Sequence, residues 1–297
     1  MRIADFAHGQ RTARDLAGLQ ERVRTTQIEI ASGRRAAPFA TAPGEAGAFL
    51  RVRDERALTA DIAGQNERMV GRLRVMDDAI GRLAGIAEQL QGLLLQRLDD
   101  STGGSMPLAA TLDGMLAEAT GALNQRFEGA YLFGGSRSER PPVELPAPPL
   151  TSPDPALYYQ GDGVRLTLRA ETGVELSYGV TADERPFAEL LAAMGRAGAA
   201  HESGDRAGLQ GALDLARSAL DGILDRRGAL AATTAEVEAI AIGQRDLLPA
   251  MDEYLARLAE VDPAEAMTRL AADMTSLEAA YLASSRTARL SLADYLR

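Results

Sequence analysis

Cysteine and tryptophan are both missing from the 297 residues, and aromatic side chains make up only 4% of them. Without cysteine there is no disulfide, no thiolate metal site and no cysteine nucleophile. The shortage of large rings argues against a compact enzyme core and suits helices packed by Leu, Ala and Met. The start, Met1-Arg2-Ile3-Ala4-Asp5-Phe6-Ala7-His8, has neither the apolar centre nor the small-residue cleavage site of a secretory signal. No stretch approaches the roughly 18 uninterrupted apolar residues of a transmembrane helix. Export, if it occurs, is expected to use a route other than the signal-peptide one.

Net positive charge is lacking too. The formal charge is -10, which would repel nucleic acid and anionic lipid. No nucleic-acid partner and no membrane insertion are expected. What remains is 46% apolar and 25% charged, a globular composition rather than a disordered one.

The apolar residues are arranged in long seams. Met69, Leu73, Met76, Ile80, Leu83, Ala87, Leu90 and Leu94 alternate steps of three and four, the spacing of a helix packed lengthwise on another helix. Leu108, Leu112, Met115, Ala119 and Ala122 continue the pattern beyond Ser101–Pro107, which reads as a loop with Pro107 opening the next helix. A longer seam runs from Leu209 through Ile223, Leu230, Val237 and Gln244 to Leu258, and Pro249 is expected to kink it. Asp262-Pro263 supplies an N-cap and a first-turn proline for a last helix. That helix shows Met267, Leu270, Met274, Leu277 and Tyr281 in one phase, running on through Leu292, Tyr295 and Leu296. At the other end, Leu16, Leu19, Val23, Thr26 and Ile30 are heptad-like, and the tail is their natural partner.

Between the halves the composition changes. Seven of the 13 prolines fall in Pro141–Pro155, where no helix interior would tolerate them. Val164, Leu166 and Leu168 alternate, as do Val174 and Leu176 with Val180, about Gly173, so a β-hairpin is expected. The fold class is therefore mainly α: an elongated antiparallel long-helix bundle or coiled coil made by the N- and C-terminal halves, with a small β-rich insert at its tip. Terminal helices of this kind bury too little surface to be stable alone, and packing against copies of the same chain would complete them.

Catalytic chemistry is not visible. His8 and His201 are far apart, in polar or Gly/Ala-rich settings, and read as isolated surface histidines. Leu132-Phe133-Gly134-Gly135-Ser136 has no following Lys-Ser/Thr and no preceding strand, so it is not a phosphate loop. Asp162-Gly163 lacks the other acids of a calcium loop and reads as a turn. No catalytic residue, cofactor or metal ligand is assigned.

Several blocks resemble the bacterial flagellin family. Leu19-Gln20-Glu21-Arg22-Val23 through Ile30-Ala31-Ser32-Gly33-Arg34-Arg35 is similar to its N-terminal helix and Ser-Gly-basic turn. Ala264-Glu265-Ala266-Met267 through Ala280-Tyr281, closing on Ser291-Leu292-Ala293-Asp294-Tyr295-Leu296, is similar to its C-terminal helix. Two motifs resemble the hook–filament junction branch of that family, the hook-associated protein 3 type. One runs from Asn124 through Phe127, Gly129, Tyr131 and Phe133 to Gly135; the other is Tyr159-Gln160-Gly161-Asp162.

The resemblance implies a non-enzymatic structural subunit of the flagellum, secreted through the flagellar type III export apparatus with an export chaperone. Its partners would be itself, in a ring or filament, and the neighbouring hook-associated protein and flagellin. It also implies an inner terminal-helix domain (1–45 and 262–297), a helical middle domain (46–135 and 187–261) and an outer Pro-rich linker and β-hairpin (136–186). Assembly would run through Leu16, Leu19, Val23 and Ile30 with Met267, Leu270, Met274, Leu277, Tyr281, Leu292, Tyr295 and Leu296. Filament flagellin, major or minor, is the nearest alternative, and the heptads alone equally permit an intracellular coiled-coil scaffold. Two departures stand out. After Arg35 the family's neighbouring aspartates are replaced by Thr41-Ala42-Pro43-Gly44-Glu45, and the stretch Glu88-Gln89-Leu90-Gln91-Gly92-Leu93 lacks the arginines that innate immunity reads in some flagellins.

Overall fold

A computed structural model describes residues 2–35, 43–99 and 108–295. The Ser101–Pro107 loop and Leu296 lie outside these, as do the side chains of His8, Leu292 and Tyr295. Among the described residues the chain is mainly α with a small β part: α1 (Arg2–Ser32), α2 (Pro43–Leu98), α3 (Leu108–Leu123), β1 (Arg126–Phe127), β2 (Ala130–Tyr131), β3 (Leu166–Glu171), β4 (Val174–Tyr178), α4 (Arg185–Ser203), α5 (Arg206–Ala259) and α6 (Pro263–Tyr295). It divides into two compact units, one of residues 59–246 and one of residues 1–58 with 247–297. None of the described helices is long and apolar enough to cross a membrane.

In the middle unit α2 and α5 run antiparallel. The pairs Asn66–Gln244, Arg74–Glu238, Asp77–Arg227 and Gln91–Ala216 fix their direction. The α2 seam from Leu73 to Leu94 is buried as its spacing requires, against Leu209, Leu213, Ala216, Ile223 and Leu230 of α5. The short α3 packs on α4, and Leu108, Leu112, Met115, Ala119 and Ala122 all face the core.

None of the apolar seams read in the sequence includes α4, which from Phe187 onward falls within the stretch 187–261 expected to be helical. It buries residues 186–195 without interruption, Glu189 among them, and its exposed residues lie near its ends. Its packing is tight enough that a Cβ on Gly195 would strike the Leu150 carbonyl. Gly204, at φ 67°, ends it, because a left-handed residue after the last turn costs glycine little.

The β part is two small antiparallel hairpins. β3 pairs with β4 in the register Leu166–Tyr178 and Leu168–Leu176, with the turn at Thr172-Gly173 and an irregularity at Ala170. β1 and β2 form a tighter one, closed by Glu128 and Gly129 at positive φ. α5 runs through Pro249 as one helix.

In the terminal unit α1 packs on α6. Arg22 meets Asp273 and Gln20 meets the Tyr281 hydroxyl, so the two helices are antiparallel. Asp262 caps α6, its carboxylate accepting from the Ala264 amide at 2.8 Å. The two breaks read in the sequence also meet. Gly33, at φ 67°, turns the chain so that Arg35 N–H donates to Ala259 O (3.0 Å) and Val261 N–H to Gly33 O (3.1 Å). This short antiparallel bridge satisfies backbone groups that two helix ends would otherwise leave unpaired.

Candidate assembly interface and structural motif

Burial differs sharply between the two units. Among the described residues, only Val261 and Ala266 of the terminal unit are buried apolar side chains, whereas the middle unit has one continuous core. On α1 the stripe Leu16, Leu19, Val23 and Ile30 is half-buried, with Thr26 and Glu29 buried beside it. On α6 the inward stripe is Ala266, Leu270, Asp273, Leu277 and Ala280. Met267, Met274 and Tyr281 lie on an adjacent face and remain 59%, 45% and 48% exposed. Of the five α6 residues read as one seam, therefore, Leu270 and Leu277 turn toward the chain's own pairing and three stay in solvent. Their steps of seven, each about 10.5 Å along the axis, make a straight apolar stripe, widened by Leu282 at 59% exposure.

The two motifs read from the sequence, Asn124–Gly135 and Tyr159–Asp162, come together in the middle unit. Asn124 is clamped at the end of α3. Its amide donates to Val143 O and its Oδ1 accepts from Val143 N–H, both at 2.9 Å, so the side chain imitates a strand partner. The Arg126 guanidinium lies 5.0 Å from the centre of the Tyr131 ring and donates to the Gly129 carbonyl. Phe127 packs against the core from the first hairpin. Phe133 is fully buried and meets Phe187 edge-on at 6.3 Å, a favoured aromatic geometry.

Gly135, at φ 68°, lies against Asp162, where a Cβ would overlap the carboxylate and the carbonyl. Asp162 accepts from Ser136 N–H at 2.8 Å and from the Ser136 hydroxyl. Those two bonds hold its carboxyl below the ordinary carboxylate range. The Tyr159 hydroxyl donates to Asp162 O at 2.8 Å, and a Cβ on Gly161 would overlap that ring oxygen. Tyr158, which no sequence motif singles out, is fully buried and donates to Ala182 O at 2.8 Å. Burial pushes both tyrosine hydroxyls up, with the Asp183 charge adding to it. Every motif position thus has a neighbour that explains it by packing or backbone geometry.

Among the described residues no His, Asp and Glu cluster could hold a metal. His201 is half-buried, its Nδ1 accepting from Arg97 Nε at 3.3 Å.

No protein-family model and no curated protein matches the chain. Solved structures do. FlgL of Bacillus cereus superposes with a TM-score of 0.56 at 17% identity, over 71% of this chain and 100% of the other. A protein of Vibrio parahaemolyticus, described as flagellar and hook-associated, gives 0.54 at 13% identity, over 70% and 95%. The chain has the fold of FlgL. At that identity the likeness is one of fold.

Proposed function

We propose that this chain is a structural subunit of the bacterial flagellum that assembles at the hook–filament junction through its terminal helices. The observation that carries the reading is the uneven burial: the middle unit is fully cored, while the terminal unit has almost no core of its own and an exposed apolar stripe on α6. Such a pairing of α1 with α6 is marginal by itself and gains its missing burial from neighbouring copies. The FlgL fold supports the assignment. On this reading residues 1–45 and 262–297 are the inner domain, 46–135 and 187–261 the middle domain, and 136–186 the outer part. Leu16, Leu19, Val23 and Ile30 close the pairing with Leu270 and Leu277, while Met267, Met274 and Tyr281 face the next subunit. Secretion through the flagellar type III apparatus with a chaperone, and contact with a hook-associated protein and flagellin, belong to the same proposal.

The test is a clean deletion of the gene, scored for filaments and for flagellin in the medium. Hooks without filaments, with flagellin shed into the culture, are expected. Normal filaments would refute the proposal, and full-length filaments with altered composition would point to a filament flagellin instead.

A further inference from the structure

One polar cluster sits inside the middle unit where the seam spacing calls for apolar residues. Asn66 of α2 is fully buried and Gln244 of α5 nearly so. The Asn66 amide donates to the Gln244 side-chain oxygen at 2.9 Å and to the Ala170 carbonyl at 2.8 Å. The Gln244 amide donates to that same carbonyl at 2.9 Å. Ala170, itself fully buried, is the residue at which the β3–β4 ladder loses register: Arg169 pairs with Glu175 and Glu171 with Val174, leaving Ala170 unpaired. An extra residue of this kind turns its carbonyl out of the ladder. A buried carbonyl without a donor is costly, and two side-chain amides from two different helices are aimed at this one.

We propose that Asn66 and Gln244 are positioning residues that hold the β3–β4 hairpin at one place on the α2–α5 pair by clamping the bulged Ala170 carbonyl. The apolar contacts of the hairpin do not do this alone. Leu166, Leu168, Leu176 and Tyr178 alternate along the strands, and a slide by two residues presents an equivalent face to the helices. The clamp removes that degeneracy, because the bulge projects one particular backbone carbonyl from the ladder. It keeps a cost as well: Asn66 Oδ1 is buried and has no hydrogen-bond partner among the described residues. On this proposal the polar pair, standing where leucines would pack, gives up stability for a unique hairpin position, as a buried asparagine does in fixing coiled-coil register.

The chain has no tryptophan, so Tyr178→Trp in the full-length protein installs a single indole on β4, in place of the ring that Arg72 approaches at 5.9 Å, and it is excited selectively above the tyrosine band. In that background, Asn66→Leu with Gln244→Leu is expected to shift the indole emission to the red and raise its quenching by iodide. Exchange of the β3 and β4 amides should increase by about tenfold or more, while the helical signal and its melting midpoint stay close to the parent. The exchanged pair, Asn66→Gln with Gln244→Asn, restores donors to both helices and should recover part of the emission shift. Unchanged emission and exchange in the leucine variant would overturn the proposal. So would loss of helicity in that variant, since a hairpin clamp is dispensable for the helices themselves.

Discussion

Replacing Met267, Met274 and Tyr281 together by glutamine tests the assembly reading most directly. The three side chains are roughly half exposed in the single chain, so the substitution removes little that the folded chain already uses. Glutamine is a good helix former, and the hydrogen bond that disappears, between Gln20 and the Tyr281 hydroxyl, is exposed. The monomer should therefore change by about 0.5 kcal/mol per site or less. Assembly depends on these side chains far more. Full burial of a Met- or Tyr-sized side chain is worth about 1.5–3 kcal/mol, so burying the exposed half contributes roughly 0.7–1.5 kcal/mol each. Three such residues give roughly 2–4.5 kcal/mol per subunit contact, equivalent to a roughly 30- to 1,500-fold weaker association. The assay pairs thermal melting by circular dichroism with the critical concentration for polymerisation followed by sedimentation. An unchanged melt with a critical concentration raised by at least about 30-fold is expected. A triple variant that polymerises at the parental concentration would show that the α6 stripe is not the contact and that uneven burial does not mark the assembly face.

Three further outcomes follow from the middle unit. Phe133→Ala removes a fully buried ring from against Phe187 and should cost about 3–5 kcal/mol, read as a fall in the denaturant midpoint. Gly195→Ala places a methyl where the Leu150 carbonyl stands; overpacking of this kind costs about 1–3 kcal/mol, and the variant should melt earlier than Gly198→Ala, where the nearest atom is 3.9 Å away. Asp162 has a lowered folded-state pKa, so its contribution is complete above its ordinary value of 3.8 and is lost as the pH falls through the lowered one. Exchange at the Ser136 amide should rise in acid below that value and lose this dependence in Asp162→Asn, measured by mass spectrometry; a profile identical in both proteins would remove Asp162 from the account.

Local chemistry along the chain set the elements and most of their ends. Leu73, Met76, Ile80 and Leu83 are buried because three-four spacing puts them on one side of a helix whatever lies opposite. Asp262-Pro263 opens α6, and Gly33 closes α1, because capping needs only neighbouring residues. The β3–β4 hairpin follows in the same way from alternation about Gly173. Period does not specify the partner. Met267 and Leu270 share an apolar phase, yet only the position of α1 decides that Leu270 turns inward and Met267 outward. The meeting of Ser136 with Asp162, and of Asn66, Gln244 and Ala170, joins residues 26 to 178 positions apart; only the folded chain brings these together, because close approach between such distant residues is set by tertiary packing rather than by local propensity.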